Sequence, residues 1–305
     1  MSVDPSDVAV VGLGSMGLGM ARSLLRNGFA VRGFDVGAAA LQALSEAGGI
    51  ACRSPADAAT GAAIAVVVVV NAAQTETVLF GAEGLVEALP AGAVIISCAT
   101  IAPHEAKEFA RRAAEKGLLY IDGPISGGSV KAGNGELTFM ASGSAEAFAA
   151  ARPALDAMAG TVYELGDKPG IGSSFKIVNQ LLAGVHIAAA CEAITFAKSL
   201  DLDISRVFEV ISRSAGNSWM FENRIPHVLA GDYTPHSAVS IFTKDLGIVS
   251  DIGRKQKFPL PIASAALQLF IMTEAAGMGR DDDSSVARLL AKIAGLDLPG
   301  TGEEN

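Results

Sequence analysis

Lys176 is the residue whose neighbours best suit proton chemistry. Asn179 and Gln180 follow it at i+3 and i+4, so on a helix the three share one face. His186, seven residues beyond Asn179, comes round to nearly the same side. One amine and two amides on an otherwise apolar helix can orient a small polar molecule and move a proton on it. To work as a base, a lysine must be neutral part of the time, against an ordinary pKa of about 10.4. Burial or a nearby cation would favour that neutral form. The stretch from Gly170 to Lys198 contains no proline and predicts one helix of roughly 29 residues, about 43 Å long. A helix of that length leaves one domain and enters another.

The second chemical stretch is Gly12-Leu13-Gly14-Ser15-Met16-Gly17, set between the β-branched run Val8–Val11 and a helical period through Met20, Leu24 and Leu25. Gly12 suits a tight turn, Gly14 lets backbone approach a pyrophosphate, and Gly17 lets the helix pack on the strand. A following run, Ala30–Phe34, ends at Asp35. A carboxylate there accepts from ribose hydroxyls and repels a 2′-phosphate. Together these features imply a dinucleotide site that takes NAD rather than NADP. Ile64–Val70 and Ala93–Ser97 read as buried parallel strands. The first ends in Asn71, Ala72 and Gln74, where a βα loop would meet the cofactor. Leu118–Ile121 is another strand, followed by Asp122-Gly123-Pro124-Ile125-Ser126-Gly127-Gly128. Ser126, Gly127 and Gly128 offer a hydroxyl and open backbone N–H groups, a suitable cradle for a substrate carboxylate.

The elements that must position these residues follow from the same patterns. Strand and helix alternate through the first half, with Leu137–Ala141 and Thr161–Glu164 expected to extend the sheet. After Gly170 helical periods dominate: Ser205–Ala215, Ser218–Ala230, Thr243–Lys257, Pro261–Ala276 and Ser284–Ala294. The expected fold is α/β, a doubly wound and mostly parallel sheet over residues 1–168. An all-helical domain over 169–305 follows, joined to it by the long helix. Asp281-Asp282-Asp283 reads as a solvated turn with Asp283 or Ser284 capping the last helix, and the tail from Leu298 to Asn305 as frayed.

Composition narrows the function. The 305 residues are 50% hydrophobic and 18% charged, with net charge −9 and no cluster of Lys and Arg, which argues against nucleic acid. Cys52, Cys98 and Cys191 are odd in number and widely spaced, as expected of free thiols in a reducing compartment. The first residues lack a signal-peptide pattern, and the run Ala62–Val70 is too short to span a bilayer, so a cytoplasmic protein without a membrane role is expected. The four histidines show no ligand spacing, so no metal is expected.

Four motifs in order resemble the β-hydroxyacid dehydrogenase family, which includes 3-hydroxyisobutyrate dehydrogenase and tartronate semialdehyde reductase. They are Gly12–Gly17, Asp122–Gly128, Gly170–Lys176 and Lys244-Asp245-Leu246-Gly247. The resemblance covers nearly the whole chain. It implies a Rossmann-type first domain, an all-helical second domain, and assembly as a homodimer or homotetramer. It also implies Lys176 as acid/base, Ser126, Gly127 and Gly128 on the substrate carboxylate, Thr100 on the cofactor ribose and Lys244 near the nicotinamide. Most of the family carries asparagine where this chain has Gln180. Asn179–Ile187 and Val70–Gln74 look most like the L-threonate dehydrogenase branch, which implies a small sugar acid oxidised at its C2 hydroxyl. Extra polar groups such as His186 would suit its polyol tail. The presence of Lys176 weighs against a non-catalytic nucleotide-binding relative and against an imine reductase.

Overall fold

The structure, a computed structural model, describes residues 7–301 and forms two compact units that divide between Lys176 and Ile177. The first opens with β1 (Asp7–Val11), α1 (Gly17–Arg26), β2 (Ala30–Phe34), α2 (Ala38–Glu46), β3 (Ile50–Ala51) and α3 (Pro55–Ala59). It continues with β4 (Ile64–Val67), α4 (Ala72–Phe80), β5 (Val94–Ser97), α5 (Pro103–Ala114) and β6 (Leu119–Asp122). The six strands form one parallel sheet in the order β3-β2-β1-β4-β5-β6, the doubly wound order of dinucleotide-binding domains. β4 and β5 are buried along their whole length, which is why both are apolar without alternation. β4 stops at Val67, three residues short of the expected Val70. Val68 N still donates to Val11 O, and Val68 O then lies against the Gly12 turn, where the chain leaves the sheet.

A second sheet follows: β7 (Ile125–Ser126), α6 (Gly128–Asn134), β8 (Leu137–Ala141), α7 (Ala145–Met158) and β9 (Ala159–Glu164). β8 lies between an antiparallel β7 and a parallel β9. The expectation that β8 and β9 extend the main sheet is therefore wrong. Beyond β6 the main sheet is met by one isolated antiparallel bridge, Asp122 to Ser142, and Gly123-Pro124 turns the chain away. Pro124 has no N–H with which to continue a ladder.

α8 (Ile171–Ser199) is the long helix, 29 residues without a break. The remaining helices are α9 (Ile204–Ile211), α10 (Trp219–Ala230), α11 (Val239–Gln256), α12 (Pro261–Thr273) and α13 (Val286–Ala294). In the second unit the buried face of α8, through Ile187, Cys191 and Ile194, packs into a core with Phe242, Phe270 and Val286. α12 ends earlier than expected, in a wide turn over Glu274–Met278 where Gly277 adopts φ 92°. The α8 stretch and Pro261–Met278 are long and apolar enough to cross a membrane by length and composition. Half of the apolar window of α8 is buried within the protein, as for a core helix.

Two sequence expectations fail at the end of the chain. Leu298 is buried and its N–H donates to Thr301 Oγ1, so this stretch is not frayed; residues 302–305 lie outside the described residues. Asp282 and Asp283 are not solvated but fully buried. Asp283 takes Nε and Nη2 of Arg224 at 2.6 and 3.0 Å, while Asp282 takes His227 Nδ1 at 3.0 Å and the N–H and hydroxyl of Ser284. Three acids in a row look like a surface turn, and only packing supplies the cations that make burial tolerable.

Burial pushes the Asp282 carboxyl up, but its bonds from His227 and Ser284 outweigh that and hold it at about 2. The same hydrogen bond raises the pKa of His227. A histidine raised above its unfolded value of about 6.5 contributes stability that is complete below that pH and lost as pH rises through the folded value. His227→Gln should therefore lower Tm most below pH 6.5, with the gap from wild type narrowing towards pH 9. A gap independent of pH in a thermal-melt series would show that the pair is not ionic.

Candidate active site

The predicted cofactor residues of the first unit lie at the carboxyl ends of the parallel strands, whereas Lys244 lies on α11 in the second unit. Gly12 follows β1 with φ +93°, and a Cβ there would lie 2.2 Å from Val68 O, so no other residue fits. A Cβ on Gly17 would fall 1.8 Å from Gly12 O, which is the close packing of α1 on the turn. Gly14 differs, since a Cβ there would meet nothing within 4 Å. The bare backbone at Gly14 therefore faces open space, as a pyrophosphate cradle must. Leu13, buried in the core, donates its N–H to Asp35 Oδ2 at 2.6 Å. Asp35 Oδ1 accepts from Gly37 N at 2.8 Å, so the carboxylate ending β2 is fixed beside the glycine turn. Ser15 is exposed and Met16 precedes the first residue of α1.

Asn71, Ala72 and Gln74 open α4. Asn71 Oδ1 accepts from Gln74 N, and Gln74 Oε1 accepts from Val70 N, both at 2.9 Å. These two bonds cap the helix start and engage both side-chain oxygens. Thr100 lies half-buried in the loop after β5. Ser126 ends β7, and Gly127 and Gly128 follow at φ 138° and 79°, backbone that L side chains rarely adopt.

Lys176 is the sixth residue of α8 and only 7% exposed. The start of this helix is held by groups the sequence reading did not assign. Gly170 has φ +96°, and a Cβ on Gly172 would fall 2.3 Å from Met140 O, so glycines let the helix begin hard against the strands. Asp122, at the end of β6, accepts from Gly170 N at 2.7 Å, Ser173 N at 2.9 Å and Ser173 Oγ at 2.6 Å. One signal could have found it: a lone carboxylate ending an apolar strand needs compensating donors when buried.

In the second unit Gln180 and Lys244 converge on another unassigned acid, Asp245, which is 1% exposed, and Asn179 joins them through Gln180. Asn179 Nδ2 donates to Gln180 Oε1 at 2.9 Å, Gln180 Nε2 to Asp245 Oδ2 at 2.5 Å, and Lys244 Nζ lies 2.6 Å from Asp245 Oδ1. Gln180 is thus engaged at both ends of its amide and orients Asn179. His186 is half-buried on α8, outside this chain of contacts. Among the described residues no cluster of three metal-ligating side chains occurs.

Sheet order, glycine turn and strand-end carboxylate define a dinucleotide-binding protein. Residues 7–166 match the NAD binding domain of 6-phosphogluconate dehydrogenase, and residues 170–290 the NAD-binding domain of NADP-dependent 3-hydroxyisobutyrate dehydrogenase. The chain belongs to the β-hydroxyacid dehydrogenase family, and specifically to its 3-hydroxyisobutyrate dehydrogenase-like members. It is 51% identical to an L-threonate dehydrogenase of Cupriavidus necator over 97% of this chain and 99% of that protein. It is 49% identical to one of Escherichia coli K12 over 96% of each. A crystal structure of a 3-hydroxyisobutyrate dehydrogenase from Salmonella typhimurium superposes with TM-score 0.88 at 47% identity, over 92% of this chain and 99% of that one.

The open space at Gly14 separates folding from binding. Gly14→Ala should leave Tm within about 1 °C of wild type, because the new methyl meets no neighbour. It should weaken NAD binding at least tenfold by holding the pyrophosphate off the backbone. Titration calorimetry showing unchanged affinity would place the dinucleotide elsewhere.

Proposed function

We propose that this protein oxidises the C2 hydroxyl of L-threonate to 2-oxo-tetronate with NAD, using Lys176 as the acid/base. The observation that carries the mechanism is the placement of Lys176, buried one turn into a helix whose start is tied to the strand end leading into Ser126, Gly127 and Gly128. NAD, when bound, supplies the acceptor for the hydride leaving C2. Gly12, Gly14, Gly17 and the helix start of α1 would hold its pyrophosphate, Asp35 its adenosine ribose, and Thr100 and Lys244 the nicotinamide half.

The chain's own residues do the rest. Ser126 and the backbone N–H groups of Gly127 and Gly128 bind the substrate carboxylate. The neutral amine of Lys176 accepts the proton of the C2 hydroxyl as its C–H bond breaks, and returns a proton in the reverse direction. Gln180, fixed by Asp245, sets the amide of Asn179 towards the substrate. Supporting the choice of L-threonate are the names of relatives at 45–51% identity and the glutamine at position 180, where most of the family has asparagine. A polyol tail offers hydroxyls to Asn179 and His186, whereas 3-hydroxyisobutyrate offers only a methyl.

We further infer a homodimer or homotetramer. Val178, Leu182 and Phe196 on α8 and Ile262, Ile271 and Met272 in or beside α12 are exposed apolar side chains. Only 22% of the apolar window over Pro261–Met278 is buried in one chain. Covering such patches is a common reason for assembly.

Three measurements test this reading. Lys176→Ala should keep NAD binding and lose turnover by at least a thousandfold, in line with removal of a general base together with its positioning. NADH formation should favour L-threonate over D-threonate, D-erythronate, 3-hydroxyisobutyrate and D-glycerate; preference for 3-hydroxyisobutyrate or glycerate would keep the mechanism and sink the substrate. Light scattering should give a mass of two or four chains, and a monomer at micromolar concentration would remove the assembly.

A further inference from the structure

Asp122 is a buried carboxylate with no proton to move in the reaction above and no place in the glycine turn. Its oxygens collect four donors. Oδ2 accepts from the N–H groups of Gly170 and Ser173 and, at 3.3 Å, from the hydroxyl of Ser142; Oδ1 accepts from the hydroxyl of Ser173. Ser142 Oγ in turn accepts from Gly172 N at 2.9 Å. The backbone of Asp122 is fixed as well, since its N–H and carbonyl pair both ways with Ser142 at 2.9 Å.

These bonds make an unusual helix cap. The first N–H groups of a helix have no partner within it, and a serine, threonine, aspartate or asparagine just before the helix commonly supplies one. Residue 170 is a glycine, so α8 has no such side chain at that position. Its cap comes from a residue 48 positions earlier, on the strand that leads into the carboxylate cradle. A local cap ties a helix only to itself. A remote cap ties it to another element, and here that element runs into the Ser126-Gly127-Gly128 segment. Ser173 and Lys176 stand at i and i+3, so the residue gripped by Asp122 shares a helix face with the lysine.

We propose that Asp122 is a positioning residue for the dehydrogenation: it fixes the first turn of α8 against the end of β6 and so sets the distance between the Lys176 amine and the Ser126-Gly127-Gly128 cradle. The inference rests on the reading of Lys176 as the acid/base. A misplacement of about 1 Å between a base and its substrate costs about a hundredfold in rate. The carboxylate acts through geometry, not through its own proton, and that distinguishes it from a catalytic acid.

The test is a series of variants measured for kcat, NAD affinity and Tm. Asp122→Ala should lower kcat about a hundredfold per NAD-binding site, with NAD affinity unchanged. Asp122→Asn should recover most of that loss, to within about fivefold of wild type. Its amide oxygen can keep both backbone N–H bonds while its NH2 donates to Ser173 Oγ. Ser173→Ala, which removes a single bond, should lower kcat severalfold and serves if Asp122→Ala does not fold. An Asp122→Asn variant as inactive as Asp122→Ala would assign the role to charge and overturn the proposal. So would variants whose Tm falls while kcat per site stays at the wild-type value. Lys176→Ala run beside them separates the two readings: turnover surviving there removes the acid/base, whereas its loss beside an active Asp122→Ala removes only the positioning role.

Discussion

A single buried carboxylate fixes where the long helix starts. An ionised Asp122 out of water is costly, by several kcal/mol before compensation. Four converging donors and the positive end of the α8 macrodipole offset that cost, and each bond to a charged acceptor is worth about 1.5–3 kcal/mol. The surrounding residue types follow from this. Gly170 takes a positive φ, Gly172 removes a side chain that would strike the carbonyls of Met140 and Asp122, and Ser173 adds its hydroxyl. Burial still raises the pKa of Asp122 above the ordinary carboxylate range, with its hydrogen bonds pulling the other way. The strand end and the helix start are therefore one construction.

The second unit repeats the device with different partners. Asp245 gathers Gln180 and Lys244, and Asp282 and Asp283 gather His227, Ser284 and Arg224. In each case a fully buried acid joins residues dozens of positions apart, and the geometry is set by hydrogen bonds rather than by apolar packing, which is non-directional. For Gln180 this changes the meaning of a substitution. The extra methylene relative to asparagine lets the amide reach Asp245 while still receiving Asn179, so Asn179 is held through two hydrogen bonds.

Much of the chain was legible before any coordinates. The glycine turn, the carboxylate of Asp35, the unbroken α8 and the second-half helices are local patterns, written in neighbouring residues with period 2 or 3.6. Their errors were confined to ends, such as β4 stopping at Val67 and α9 at Ile211. The separate sheet of β7, β8 and β9 was not legible, because strand pairing depends on where Pro124 turns the chain and not on the strands' own residues.

The sequence by itself determined the fold class and the cofactor motif, because each is encoded by residue types at short fixed spacing, and the family through four motifs in order. Only the tertiary structure decided which polar residues are partners. Asp282 and Asp283 proved buried, and Asp122 and Asp245 emerged as the groups that hold Ser173 and Gln180. Those facts rest on contacts between residues 51, 55, 59 and 65 positions apart. A buried charge is tolerated only where such distant donors meet, and no local pattern records that meeting.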